Sequence, residues 1–257
     1  MRTQKHSRAG GACCLRAVGK KNGIFSLALL LFLTGTAIIF LKAPQTLEIQ
    51  THATVTSARP QLVIDPGHGG LDGGASAADG MTESTINLSL SLRMYDLALL
   101  LGERPVMTRV TEDLQYPESA TTIREKKVWD QKQRVERINK TENAVLISVH
   151  QNFYPDARPN GAVVLYGAAD GSSALAERVQ SQLTTQLCPE NRRVAAPASQ
   201  NIYLMKQVSC PSILVECGFL SNPAEAELLN SADYQKKLAL ILITSYFQHT
   251  EENIGGF

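Results

Sequence analysis

A β-branched run that breaks into glycine constrains this chain more than any other stretch: Val63-Ile64-Asp65-Pro66-Gly67-His68-Gly69-Gly70-Leu71-Asp72-Gly73-Gly74. Continuous apolar residues such as Val63 and Ile64 suit a strand covered on both faces. Pro66 cannot donate to a ladder, and the glycines after it permit positive φ and close backbone approach. The stretch therefore predicts a buried strand ending in a tight loop. His68 would sit at the strand's C-terminal end, where open α/β sheets place ligands. The glycines do not make a nucleotide site. The third glycine of the dinucleotide fingerprint is missing, and no Lys-Ser/Thr pair follows to form a phosphate loop.

Two later runs repeat the pattern. Val145-Leu146-Ile147-Ser148-Val149-His150-Gln151-Asn152 ends in a second histidine, and Ser212-Ile213-Leu214-Val215-Glu216-Cys217-Gly218-Phe219 ends in a carboxylate. A further acid, Glu83, opens an amphipathic helix with Ile86, Leu90, Met94, Leu97 and Leu101 on one stripe and Thr82 as its N-cap. Glu83 can be read simply as an acid complementing the helix dipole. Two imidazoles and a carboxylate with an open fourth position also make a hydrolytic zinc site, to which a second carboxylate supplies the base.

Strands alternating with helices predict one α/β domain with a mixed, twisted sheet. Short strands are expected at 105–108 and 161–166, and another at 202–205 leading into the Glu216 strand. Helices are expected at 124–140, with Val128, Val135 and Ile138 inward and the charges solvated, and at 174–187. Asn222-Pro223-Ala224-Glu225 combines an N-cap, a proline at the first helical position and a capping-box glutamate, so another helix starts there. The helix 232–247 closes the domain, and His249 with the tail after it is expected to fray. A Cys188–Cys210 disulfide stays open. Cys217, one residue past Glu216, is expected to face the core.

The net charge of +1 hides an asymmetry. Seven of the 25 Lys and Arg precede position 43, where there is no acid, leaving 18 against 24 acids and a net of −6 beyond it. Nucleic acid is therefore not the expected partner of the folded part. Nineteen residues, 23–41, carry no charge and would span ~30 Å as a helix, the hydrocarbon thickness of a bilayer. The expectation is a basic cytoplasmic leader at 1–22, a transmembrane anchor at 23–41, a polar linker at 42–60 and a catalytic domain at 61–249 outside the membrane. A cleaved signal peptide is the competing reading.

The sequence resembles the zinc-dependent N-acetylmuramoyl-L-alanine amidases of the third amidase class, which cleave peptidoglycan. The matching motifs are Ile64 to Gly70, Glu83 ahead of Asn87-Leu88, Ser148 to Asn152, and Val215 to Asn222. Within the family the germination-specific spore-cortex type is the nearest likeness, through Asn201 to Met205 and Pro211 to Leu229. The resemblance implies a sheet of about six strands, with Zn²⁺ held by His68, Glu83 and His150 and Glu216 as general base. Asp65 and Asp72 would shape the loop or hold His68 by its other ring nitrogen. It further implies peptidoglycan as substrate, cleaved between the muramyl lactyl group and L-alanine, with a role in muramic δ-lactam formation in cortex. It leaves room for an activating lipoprotein or other protein partner, and the anchor would place the enzyme in the cell membrane, specifically that of the forespore. A vegetative amidase of cell separation and a non-catalytic wall-binding protein are the alternatives.

Overall fold

In the computed structural model, which describes residues 59–255, strands and helices alternate along the chain. The order is β1 (Gln61–Pro66), α1 (Glu83–Leu100), β2 (Val106–Met107), α2 (Ile123–Lys140), β3 (Ala144–Asn152) and β4 (Val163–Tyr166). Then follow α3 (Ser172–Leu187), β5 (Ala196–Pro197), α4 (Tyr203–Gln207), β6 (Ser212–Phe219), α5 (Pro223–Asn230) and α6 (Ala232–Gly255). The six strands form one sheet in the order β2-β1-β3-β6-β4-β5. β2, β1, β3 and β6 run parallel, while β4 pairs antiparallel with β6 and carries β5 beside it.

Period-two alternation sorts the central strands into two faces. Leu62 and Ile64 of β1, Val145, Ile147 and Val149 of β3, and Ile213, Val215 and Cys217 of β6 join one core with residues of α1, α3 and α6. Val63, Ala144 and Leu146 face the other way and meet Ile138 of α2 and Leu204 of α4. The same alternation puts Asp65, Ser148, His150 and Glu216 on this second face. The sheet thus has a large core on one side and, on the other, a smaller core that gives way to polar residues at the strands' C-terminal ends.

No helix of the described residues is long and apolar enough to cross a membrane. α6 has the length but carries Asp233, Lys236, Lys237, Glu251 and Glu252, and its apolar residues are spent in the core beside α1 and α3. Among the described residues the expected architecture is corrected accordingly to the α/β domain, without a transmembrane helix. Membrane anchoring, the membrane as partner and a single-pass location in the cell or forespore membrane are dropped with it. The segment 23–41 itself, with the leader 1–22 and most of the linker 42–60, lies outside the described residues.

Other expectations change locally. Residues 203–207 are helical rather than extended, and α6 continues past Phe247 with His249 buried rather than frayed. Asn222 does cap α5, accepting from the N–H groups of Ala224 and Glu225 at 3.0 and 3.4 Å. Glu225 does not reach back to it; its carboxylate accepts from Gly161 and Phe219 N–H at 2.8 and 2.9 Å, which ties α5 to the loop before β4. On α2, Val128 is exposed while Arg134 is buried, the reverse of the expected pattern. The reason is that the first half of α2 overhangs the polar end of the sheet and not its apolar core. Cys188, Cys210 and Cys217 are free thiols, and Cys217 is buried.

Candidate metal centre

The β1 loop turns sharply enough that His68 itself takes a left-handed backbone, with φ 59°. Such a conformation costs a non-glycine residue about 1–3 kcal/mol and persists only where surroundings fix it. Here two arginines fix it. Arg109 donates to the carbonyls of His68 (2.8 Å), Pro66 (3.1 Å), Gly67 (3.1 Å), Ser84 (2.9 Å) and Thr111 (3.2 Å). Arg134 donates to Pro66 O at 2.7 Å, to Asp65 Oδ1 at 2.9 Å and to the His68 carbonyl. Asp65 in turn accepts from Thr108 Oγ1 at 2.6 Å and Ser148 Oγ at 2.7 Å. Burial works against this carboxylate, but Arg134 and the two hydroxyls outweigh it and hold Asp65 below its ordinary range. Asp65 thus shapes the loop from beneath and does not touch the His68 ring.

The ring is met by Asp72, whose Oδ2 lies 3.1 Å from His68 Nδ1. On its other side, His68 Nε2 is 3.2 Å from Glu83 Oε1, and His150 Nδ1 is 3.0 Å from the same oxygen. The two rings stand edge to face with centroids 5.1 Å apart. Glu83 is buried at the first position of α1, its Oε2 accepting from Ala75 N–H at 3.0 Å and its Oε1 from Gln151 N–H at 3.1 Å. Asn87, one turn on, donates to Gly67 O at 3.1 Å and accepts from Gln151 Nε2 at 3.0 Å, so α1, β3 and the loop are laced together.

Glycine is required here for space as well as for conformation. A Cβ on Gly67 would run into the His150 imidazole. One on Gly74, at φ 68°, would meet Glu83 Oε2 at 2.5 Å and His68 Cδ2 at 2.9 Å. The loop therefore wraps the three side chains at a distance that no other residue allows.

Glu216 completes the cluster through register. It is the parallel partner of His150 in the β3–β6 ladder, so both side chains leave the sheet on one face. Its Oε2 is buried without a hydrogen-bond partner among the described residues. Burial pushes its carboxyl up, with Glu83 adding to that and the His150 and His68 charges opposing. Arg109 is engaged by backbone carbonyls and by Glu112, 3.7 Å away.

His68, Glu83 and His150 each offer one ligand atom, and these lie within 4.8 Å of one another. Two imidazole nitrogens and a carboxylate oxygen suit Zn²⁺, which keeps a fourth position open in hydrolytic sites. Burial disfavours a charged His68, but Asp72 and Glu83 outweigh it and push its pKa up to about 9 without an ion. Asp72 and Glu83 themselves are held well below the usual carboxylate range, against the effect of burial, by His68 together with Lys127 for Asp72 and His150 for Glu83. A compact anionic nest around two imidazoles is what a cation would neutralise. The buried, unpaired Glu216 oxygen beside it is an acceptor awaiting a donor, and the residues fit the ion.

The structure thus brings together all four side chains singled out in the sequence. Sequence reasoning gave no role to Arg109, Arg134 or Lys127, and it noted Asn87 only as part of a motif. For Arg134 a signal existed: it lies one turn before the buried Ile138 and one turn after Asp130, with which it pairs at 2.8 Å.

Residues 62–244 match the family model described as N-acetylmuramoyl-L-alanine amidase. Over 179 residues the chain is 37% identical to the germination-specific N-acetylmuramoyl-L-alanine amidase of Bacillus subtilis (strain 168), covering 69% of this chain and 74% of that protein. The CwlD amidase from Clostridioides difficile, solved in complex with the GerS lipoprotein, superposes with a TM-score of 0.71 at 31% identity, over 75% of this chain and 99% of that one. The N-acetylmuramoyl-L-alanine amidase AmiC2 of Nostoc punctiforme gives 0.63 at 26% identity, over 75% and 97%.

Proposed function

This chain belongs to the N-acetylmuramoyl-L-alanine amidase family, and from that premise we propose a role for each residue of its zinc-dependent site and a place of action in peptidoglycan. His68, Glu83 and His150 hold the zinc ion, and the catalytic unit assigned here is 61–249, which carries the whole site. Bound zinc lowers the pKa of water to ~7 and polarises an amide carbonyl. Glu216 takes the proton of the attacking water and delivers it to the leaving amine of L-alanine. Its raised carboxyl and its unpaired oxygen suit a group that must hold a proton in mid-reaction and release it. Asp72 keeps the His68 ring in place, and the two buried arginines keep its backbone there. The single observation that carries this reading is the register pairing of His150 with an unpartnered Glu216, beside the convergent His68 and Glu83.

The test measures zinc content and the new N-termini released from purified cell wall. The parent is expected to carry one zinc and to free N-terminal L-alanine, while His68→Ala and His150→Ala lose metal and activity together. Full zinc and full turnover in both variants would misplace the site.

The finer reading is action in spore cortex, stripping stem peptides so that the bare muramic acid closes to its δ-lactam. It is supported by the likeness to the germination-specific amidase. Deleting the gene in its host is expected to leave spores that form but lack muramic lactam. Normal lactam content with chained vegetative cells would instead favour a cell-separation amidase.

A further inference from the structure

The exposed side of α2 is an apolar surface that continues directly from the metal centre. The pocket at His68 and His150 is walled by Gln131 of α2 and Tyr203 of α4. The same two residues border a second groove of about 620 Å³, floored by Ile123, Val128 and Tyr203. These three are 58%, 48% and 39% exposed, and it is their grouping into one apolar patch, not the exposure of any one of them, that is informative. The Ile123 to Tyr203 contact surface thus extends the cleft outward from the reacting centre.

The rim of this groove is cationic. Arg124, Lys127 and Lys132 line it. Lys127 is engaged by Asp72 at 2.7 Å. Arg124 and Lys132 have no ion pair among the described residues, and the acids of α2 are used elsewhere. Glu125 serves the capping box with Thr122, Asp130 pairs with Arg134, and Glu136 pairs with Lys140. Two uncompensated cations over an apolar floor suit an acidic peptide and do not suit a neutral glycan, which would leave both charges unanswered.

We infer that this groove holds the stem peptide of the substrate, with Arg124 and Lys132 reading its free carboxylates. The inference rests on the amidase reading and adds the side of the scissile bond on which α2 acts. Tyr203 and Gln131 hand the peptide from the groove to the metal centre, and Ile123 and Val128 cover the hydrocarbon parts of its side chains.

The experiment compares two soluble muropeptides that differ only in whether the stem carboxylates are free or amidated, using the full chain. Exposed ion pairs are worth up to about fivefold each. The parent is therefore expected to favour the free acid by roughly tenfold in kcat/KM, mostly through KM, with the preference fading as salt is raised. Arg124→Gln with Lys132→Gln is expected to bring the preference close to one, and Val128→Glu to invert it. Both sites are exposed and outside the core, so a fold-wide loss is not anticipated, and a thermal melt of each variant checks this. A parent that cleaves both forms equally, or a double variant that keeps the preference, overturns the inference. A parent that cleaves neither form overturns the amidase reading itself, which is a separate and recognisable failure.

Discussion

Asp72 bridges His68 and Lys127: one carboxylate oxygen lies 3.1 Å from His68 Nδ1 and the other 2.7 Å from Lys127 Nζ. The contact with Nδ1 is a charge contact without hydrogen-bond geometry, and it turns Nε2 toward Glu83. Partners that orient a metal-binding histidine in this way typically change metal affinity ~10–100-fold when removed. Asp72→Asn is expected to weaken zinc binding within that range, and Lys127→Met by less, because it acts through Asp72. Competition against a chelator of known affinity measures both. Unchanged affinity in Asp72→Asn would mean that the strained loop alone orients the ring.

Glu216→Gln keeps the shape of the side chain and removes its basicity. General acid–base groups contribute ~10²–10⁴-fold, so turnover on cell wall is expected to fall by that factor while zinc content stays at one per chain. Near-parental turnover would remove Glu216 from the mechanism.

Gly67→Ala places a methyl group where the His150 ring now sits. Because backbone on one side and the α1 network on the other leave little room, the ring must move. Zinc affinity is expected to fall while the far-UV spectrum stays parental. A variant with parental zinc affinity would show that the loop yields instead of the ring.

The buried pair of Asp65 and Arg134 supports the loop, and its removal tests how much. Breaking a buried pair by removing one partner costs about 3–5 kcal/mol, so Arg134→Met is expected to lower the unfolding free energy by about that amount in a denaturant titration. The pH dependence follows from the sign of the Asp65 shift. Its folded pKa lies below the ordinary value of 3.8, so its contribution is whole above that value and is lost as pH falls through the folded pKa. Asp65→Asn is expected to be less stable than the parent at pH 7, with the gap narrowing as both are taken below pH ~3.8. A gap independent of pH would assign the effect to packing alone.

The sequence by itself determined where the chemistry lies. His68, His150 and Glu216 each follow an apolar run and Glu83 opens a helix, and such an interruption of an apolar run by an ionisable residue is a local signal that the sequence itself displays. Periodicity also placed the main helices, and β-branched runs marked the central strands, since both signals are local. Tertiary structure alone decided how the loop is held. Arg109 lies just past a short strand and Arg134 on a helix whose charges are expected to be solvated, yet they bond carbonyls more than 40 residues away in sequence, and no local pattern names those partners. It also decided the exposed half of α2. Val128 sits at helical spacing like a core residue, but the sheet beneath it ends in the polar site, so the apolar side chain faces the cleft. Residues 202–205 carry the β-branched and aromatic character of a strand. Residues 203–207 form a helix instead, because Leu204 packs on the face of the sheet with Val63, Ile138 and Leu146 and not at either edge.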